Sequence, residues 1–547
     1  MLTEFQMFWQ AAQRQPQATA LAGEGASFTY AGLLYEVEVV AAGLAEAGVR
    51  PGTVVGTVLP NSAEHVLALL ALARLGAIPA PVSPRLKPAQ AGQLVREAQM
   101  SAAIVGADAA LQASVAEALG PAARLISTGA AGRRCVPFSA CRGEPSRLPP
   151  IPQPGPSDPA IIFYTSGTTG LPKGVVVSHQ ATAARTPPPR LLPLTFGDHN
   201  RFEGHMPVCH PVGYHMILIG ALTTGGSYHL VPAFDPAGLL ALVAARGITL
   251  LILAPAQWHA LLEAPGFSAE ALASLGNAFY GGAPMPPRLL DRVVAALPCP
   301  LYNVYGVTEL GNIGFLRHTG RKPGALRPTG YYKLRAVRPG GQPEDTVPAG
   351  EIGELIAGAG PGAAFSGYLN RPGATAAALT GGWYRTGDLA RFDADGDFRL
   401  TGRADDMIIS GASNIFPEEV EAVLGACPGI AEAAVVGVPD DRYGELVVAC
   451  AAGSGISAAD LDAHCRASDL ADYKRPQAYL FLPGLPRNSL AKVLRSDLRQ
   501  AAAEAHRSAR LAYINPASPP PGEDPRPRPP AVGPTMTHPA ATARDAG

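Results

Sequence analysis

Lysine is scarce in this chain. Lys87, Lys173, Lys322, Lys333, Lys474 and Lys492 are the only lysines among 43 Lys+Arg, so arginine is the default cation. An ammonium is a compact, movable point charge and a guanidinium a rigid fork, so each lysine is more informative than usual. Cysteine is thin as well. Cys135, Cys141, Cys209, Cys299, Cys427, Cys450 and Cys465 are spread over 547 residues with no CxxC pair, which excludes a disulfide scaffold and points to a reducing compartment. Neither charge sign dominates, with 43 Lys+Arg against 44 Asp+Glu. No basic face for nucleic acid and no polybasic segment for a membrane surface follows from that balance. Long uncharged runs are missing too: "VLALLALARLGAIPAPV" is interrupted by Arg74 and by prolines before the roughly 18 apolar residues that a span requires. The opening "MLTEFQMFWQAAQRQ" contains Glu4 and lacks the basic and long apolar regions of a secretory signal. A cytoplasmic protein without a membrane span is expected, with small molecules rather than nucleic acid as partners; a homodimer is left open.

What the chain does have is alternation of helix and strand signals. In "FDPAGLLALVAARGITLLILAP", Asp235 is an N-cap, Pro236 suits the first helical position, and Gly247 ends the helix before a strand from Ile248 to Leu253. "NSAEHVLALLALARLGAIPAPVSP" repeats the pattern behind a Ser62 cap, with Gly76 before a short strand. Such alternation predicts an α/β fold with helix-covered parallel sheets, and no solenoid repeat is visible. Residues 131–159 are proline-rich and read as an exposed connection. The end of the chain, rich in Pro, Ala and Arg, has little to bury and is expected to be disordered.

"YTSGTTGLPKGVVVSH", residues 164 to 179, follows an apolar run and gathers glycines, hydroxyls and Lys173. The ordinary phosphate loop, G-x-x-x-x-G-K-[ST], is absent, since here the lysine follows a proline and the threonines precede it. Glycines still let backbone N–H groups approach an anion, and hydroxyls add donors. In isolation the segment is equally a Ser/Thr/Gly turn between strands.

Other segments change that balance. "YTSGTTGLPKG", "NVYGVTE" (303 to 309), "YRTGDL" (384 to 389), "GRADDMIISGASNIFPEEVE" (402 to 421) and "LPRNSLAKVLR" (485 to 495), taken in order, resemble the adenylate-forming superfamily of acyl- and aryl-CoA synthetases, peptide-synthetase adenylation domains and luciferases. The likeness covers nearly everything from residue 1 to about 500. Within it, "DMIISGASNIFPEEVE" and "LDAHCRASDLADYKRPQAYLFLPGLPRNSLAKVLR" look most like benzoate and 4-chlorobenzoate CoA ligases. The resemblance implies a large N-terminal adenylation domain of helix-covered sheets over 1–404, a small mobile α+β C-terminal domain over 405–512, and a Pro-rich tail over 513–547.

It also implies a reaction: a carboxylate attacks the α-phosphate of ATP to give an acyl-adenylate and pyrophosphate, and the thiol of CoA then displaces AMP. By that likeness Thr165, Ser166, Gly167, Thr168, Thr169, Gly170 and Lys173 form the phosphate loop, and Glu309 holds Mg²⁺, a hard cation suited to carboxylate and phosphate oxygens. Asp388 accepts the ribose hydroxyls with Arg403 in support. Tyr305 stacks on adenine, while Gly281, Gly282, Ala283, Asn303, Gly306 and Thr308 line the nucleotide. Lys492 is the catalytic lysine that bridges the acid and the α-phosphate. Asp405 is the hinge between domains. The adjacent Asp405 and Asp406 diverge in direction and do not make a shared-proton pair, and Glu418-Glu419 opens a helix behind Pro417, where acidic residues suit the dipole; no chemistry is expected of either.

His205, His210 and His215 recur every five residues, a spacing that scatters the rings on a helix or alternates them on a strand, so a zinc site is not expected. The resemblance singles out His210 at the floor of the acid pocket, with Val212, Gly213, Ile252, Gly281, Val304, Gly306, Gly311 and Asn312 as walls. Small and apolar walls suit an aryl ring or a modest alkyl chain. The likeness falters at "TAARTPPPRLLPL", where prolines replace an aromatic-bearing helix. For CoA, Arg85 and Arg475 match phosphate-binding positions and Tyr443 an aromatic that stacks on its adenine. The rival expectations are a short- or medium-chain fatty acid or malonate ligase, an adenylation enzyme that loads a separate carrier protein, and an inactive nucleotide-binding protein. The last is disfavoured by the presence of Lys492, Glu309 and Asp388.

Overall fold

The computed structural model describes residues 2–23, 25–120, 123–129, 135–165, 172–186, 197–358, 360, 362, 364–410, 413–440, 443–488 and 492–513. Of the phosphate loop, Ser166, Gly167, Thr168, Thr169 and Gly170 therefore lie outside the described residues, as do the three prolines after Thr186 and nearly all of the Pro-rich tail.

The expected α/β alternation is present. Asp235 caps the helix Pro236–Arg246 with its side chain on the Gly238 N–H, and Gly247 ends it in the left-handed conformation before the strand Leu250–Leu253. Ser62 caps Ala63–Leu75 in the same way, ahead of the strand Ile78–Pro81. Each device satisfies helix-end groups that would otherwise be orphaned.

These units build two large sheets. In one, the parallel strands Leu301–Val307, Asn277–Gly281, Leu250–Leu253, Arg201–Gly204, Ser227–Leu230 and Thr19–Gly23 lie side by side, with antiparallel strands at both edges. The other is a parallel five-stranded sheet centred on Ala102–Val105, with Val54–Val58 beside it. Helix Ala63–Leu75 is apolar nearly all round and buried along its length, as expected of a helix packed on both sides. Phe5, Phe8, Tyr30, Phe163, Tyr214 and Tyr228, each 0% exposed, join the largest core around it. At roughly 1.5–3 kcal/mol for each large side chain removed from water, such residues dominate the stability of this part.

Two smaller antiparallel sheets complete the N-terminal part. Pro159–Thr165 and Lys173–Ser178 pair antiparallel, and Gly367–Tyr368 adds to the edge. Leu334–Val337, Ile352–Gly358, Trp383–Phe392 and Phe398–Arg403 form the second. Beyond the single turn Ala404–Asp406, a smaller α+β unit has its own sheet around Gly444–Gly453 and an apolar core on each face. Among the described residues no helix is long and apolar enough to cross a membrane.

Candidate active site

In an open parallel sheet, ligands sit beyond the carboxyl ends of the strands. Here the ends of Leu250–Leu253, Asn277–Gly281 and Leu301–Val307 deliver Ile252, Gly281 and Val304 to Glu309 to one edge of the molecule. Gly281 must be small: a Cβ there would stand 2.6 Å from the Val304 carbonyl oxygen. Gly282 and Ala283 continue from it.

A tight polar corner forms where this edge meets the neighbouring sheet. Asp388 pairs across the strands with Arg403, and Arg403 Nη1 donates to Asp388 Oδ1 at 2.8 Å. The Tyr305 hydroxyl donates to the other carboxylate oxygen, while the Asp388 N–H is held by Thr386 Oγ1 at 3.0 Å. Burial and then the Asp388 charge push the Tyr305 phenol well above its ordinary pKa, so it is a fixed donor. Arg403 is raised by Asp388, Tyr305 and Asp405 against the opposing effect of burial. Beyond the ring face expected to stack on adenine, Tyr305 thus commits its hydroxyl to Asp388.

Glu309 lies in the turn between Leu301–Val307 and Gly311–Arg317 and is 7% exposed. Tyr368 Oη donates to Glu309 Oε1 at 2.7 Å, and the Lys173 ammonium stands 5.1 Å from the centre of the Tyr368 ring, within cation–π reach. Thr165 faces Lys173 across the hairpin. From the helix that follows, Arg185 donates to the carbonyls of Thr308 at 3.0 Å and Glu309 at 2.7 Å. The glycine-rich hairpin is thus tied to Glu309 by side chain and by backbone. Neither Tyr368 nor Arg185 was foreseen, because the contacts join segments far apart in sequence.

Lys492 comes from the C-terminal unit. Its backbone closes a small loop on Asn488, with Lys492 N–H to Asn488 Oδ1 at 3.0 Å and Asn488 N–H to the Lys492 carbonyl at 2.9 Å. Its side chain reaches solvent, but protein packed around it, and then the Arg403 charge, lower its pKa from the ordinary lysine value, with Asp388 and Asp406 acting the other way. The lysine therefore shares its field with the Asp388–Arg403 corner of the other unit.

His210 precedes the helix Val212–Ile219, a π-helix of the kind that often marks functional sites. Its carbonyl accepts from Tyr214 N–H at 3.0 Å, and burial with the Arg85 charge depresses its imidazole to about 4, which keeps it neutral near pH 7. The segment leading to it is firmly braced. Asn61 donates to the carbonyls of Gly204, His205 and Met206 at 3.0, 3.2 and 3.0 Å and accepts from Val208 N–H at 3.0 Å. His205 bonds to Glu203 at 2.7 Å and Gln257 at 3.0 Å. Asn61 was missed, although "LPNSAE" places an amide just before a helix cap. Gly213 is buried beneath the Pro207 carbonyl, Val212 is partly exposed, and Asn312 Oδ1 is buried with no hydrogen-bond partner among the described residues.

Other expected residues sit less centrally. Asn303 spends its amide on the carbonyls of Gly324 and Ala325 at 3.1 and 3.3 Å. Arg85 is exposed but its charge reaches His210. Arg475 is bound to Asp462 at 2.6 Å and Asp472 at 3.0 Å, and Tyr443 packs beside the C-terminal core. Asp405 occupies the turn Ala404–Asp406, between the strand that carries Arg403 and the C-terminal unit.

The family of AMP-binding enzymes matches residues 8–369, and that of the AMP-binding enzyme C-terminal domain matches residues 419–492. The chain is 39% identical over 514 residues to a 4-chlorobenzoate–CoA ligase of an Arthrobacter species, covering 91% of this chain and 95% of that protein. Among solved structures, ATP-bound MatB from Rhodopseudomonas palustris superposes with a TM-score of 0.83 at 26% identity, over 92% of this chain and 99% of that one. An anthranilate CoA ligase in complex with anthranoyl-AMP gives a TM-score of 0.83 at 26% identity, over 92% and 98%.

Proposed function

The chain belongs to the family of AMP-binding enzymes, and from that premise we propose that it is an acid–thiol ligase that activates an aryl acid of the benzoate type with ATP and passes the acyl group to CoA. One observation carries the proposal: Lys492, from one unit, shares its electrostatic environment with Asp388 and Arg403 of the other. Two anions must meet in the first step, and preorganised positive charge where negative charge develops is the main way a protein lowers such a barrier. The compact ammonium of Lys492 spans the acid carboxylate and the α-phosphate as the carboxylate oxygen attacks phosphorus and pyrophosphate leaves. Asp388 takes the ribose hydroxyls on lone pairs beyond those used by Tyr305 and Arg403, since a carboxylate offers about four acceptor sites.

Thr165, Ser166, Gly167, Thr168, Thr169, Gly170 and Lys173 wrap the departing phosphates; Gly281, Gly282, Ala283, Asn303, Gly306 and Thr308 shape the nucleotide site. Glu309 fits Mg²⁺, being a buried carboxylate and so a hard oxygen donor at the foot of the same hairpin. When bound, the cation offsets phosphate charge. Tyr368 and Arg185 hold the Glu309 carboxylate and backbone in place.

The acid lies over His210, between Val212, Gly213, Ile252, Gly281, Val304, Gly306, Gly311 and Asn312. A neutral His210 orders the carboxylate without taking its charge. In the second step the CoA sulfur attacks the acyl carbon and AMP leaves, with Arg85, Arg475 and Tyr443 receiving the CoA nucleotide. The domains run over 1–404 and 405–512, turning about Asp405 between the two steps, with 513–547 as a tail. The cytoplasm, which supplies ATP and CoA, is the proposed location.

A panel of aryl, alkyl and dicarboxylic acids with ATP, Mg²⁺ and CoA tests the proposal. Acyl-CoA and AMP with the aryl acids are expected. A preference for alkyl acids or malonate would overturn the aryl assignment, transfer only to a phosphopantetheinylated carrier would overturn CoA, and ADP as product would overturn the mechanism.

A further inference from the structure

We propose that Glu418 is a positioning residue, a clamp that holds the Lys492-bearing unit against the strand Phe398–Arg403 and so presents Lys492 to Asp388. The inference rests on the reading of Lys492 above and adds what keeps it there. Arg495, three residues beyond Lys492, is the centre of the network. It donates to both carboxylate oxygens of Glu421, at 2.5 and 2.9 Å, to the Val435 carbonyl at 2.9 Å and to Glu418 Oε1 at 3.0 Å, and lies 3.5 Å from Asp406 Oδ2. Arg499 reaches Asp406 Oδ1 at 3.3 Å.

Glu421 alone would serve as an internal brace, because it pairs with the guanidinium through both oxygens and also accepts the Val435 N–H at 2.7 Å. Glu418 adds another carboxylate to a guanidinium already paired, and its Oε2 is buried with no hydrogen-bond partner among the described residues. A buried acceptor left unmade is costly, so the side chain must be there for something other than the fold of its own unit. The surroundings of that same oxygen show what. A Cβ on Gly402 would stand 2.3 Å from Glu418 Oε2, and Gly402 holds a φ of +139°. Gly402 pairs with Leu389 next to the Asp388–Arg403 pair. Glu418 therefore touches the strand that carries the ribose corner on one side and the base of the Lys492 loop on the other. Because one of its two oxygens makes no hydrogen bond among the described residues, the clamp holds the units together without locking them, as a junction that must later turn requires.

The test separates the half-reactions. Glu418→Ala should slow acyl-adenylate formation on the order of 10-fold at saturating ATP. Acyl transfer from supplied acyl-adenylate to CoA should be unchanged, and Glu418→Gln, which keeps shape and contact, should recover most of the loss. No loss, or equal loss in both half-reactions, overturns the clamp. Spin labels placed at Glu351→Cys and Gln500→Cys give a second readout: the distance distribution should broaden in Glu418→Ala, and an unchanged distribution overturns the clamp. If Lys492→Ala leaves acyl-adenylate formation intact, the reading of Lys492 fails, while the distance measurement still decides whether Glu418 clamps the units.

Discussion

Two carboxylates at one strand pair, Asp388 within it and Glu418 on the helix against Gly402, live under different rules. Asp388 is 8% exposed, gives one oxygen to Tyr305 and the other to Arg403, and has its backbone pinned by Thr386. Glu418 has one oxygen on Arg495 and the other without a hydrogen-bond partner among the described residues. Asp388 belongs to one rigid unit and Glu418 to the seam between two. A fully satisfied polar network fixes a geometry, whereas a half-satisfied one can be left at lower cost. On the function proposed above, the corner is built to stay and the seam to part.

The comparison breaks most severely at Lys492, the group that the seam delivers to the corner. Lys492→Ala should lower acyl-adenylate formation by roughly 10³-fold, the upper range for loss of one aligned charge donor, and leave thioester formation from supplied acyl-adenylate intact, as measured by single-turnover kinetics of each step. Asp388→Ala comes next. It removes the acceptor for both Tyr305 and Arg403, and should raise the KM for ATP and cut kcat/KM about 10²-fold, a loss of about 2.7 kcal/mol, with the melting temperature falling as well because the buried Tyr305 hydroxyl and the half-buried Arg403 guanidinium both lose their partner.

A smaller effect sharpens the contrast within the rigid unit. Asn61→Ala strips the brace from the segment ahead of His210 and should cost about 1–3 kcal/mol of stability while raising the KM for the acid more than that for ATP; denaturant unfolding and steady-state kinetics check the two. The mildest case is Glu4, a buried carboxyl away from the seam whose Oε1 stands 3.5 Å from His215 Nε2. Its Oε2 accepts from Tyr214 at 2.8 Å, its Oε1 has no hydrogen-bond partner among the described residues, and burial raises its pKa to about 8. Between the ordinary value of 4.5 and about 8 the folded chain holds a proton that the unfolded chain has lost, so stability falls as pH rises through that window. Glu4→Gln should flatten that decline and raise the melting temperature at pH 8, with the ratio of half-reactions unmoved. A change in that ratio would mean that buried carboxyls matter anywhere, not only at the seam.

Local signals in the sequence carried much of this architecture. Asp235, Ser62 and the glycines after their helices wrote the α/β alternation directly, and "YGVTE", "YRTGDL" and "NSLAKVLR" marked Glu309, Asp388 and Lys492. Partnerships were harder to see. Tyr368 on Glu309, Arg185 on the Glu309 backbone and Asn61 on the Gly204-to-Val208 backbone join segments separated by long stretches of chain, where periodicity and capping rules have no reach. Glu418 was legible only as a helix-opening residue; its role at the seam depends on Gly402 and Arg495, one before and one far after it.

The central claim is that the corner and the seam cooperate to make an acyl-adenylate. The most direct measurement is rapid quenching of the full chain with α-labelled ATP, Mg²⁺ and benzoate in the absence of CoA. Benzoyl-adenylate should build up toward one equivalent per chain with matching release of pyrophosphate, and convert to AMP and benzoyl-CoA when CoA is added. Label found in ADP, or no adenylate with any acid tested, would contradict the account.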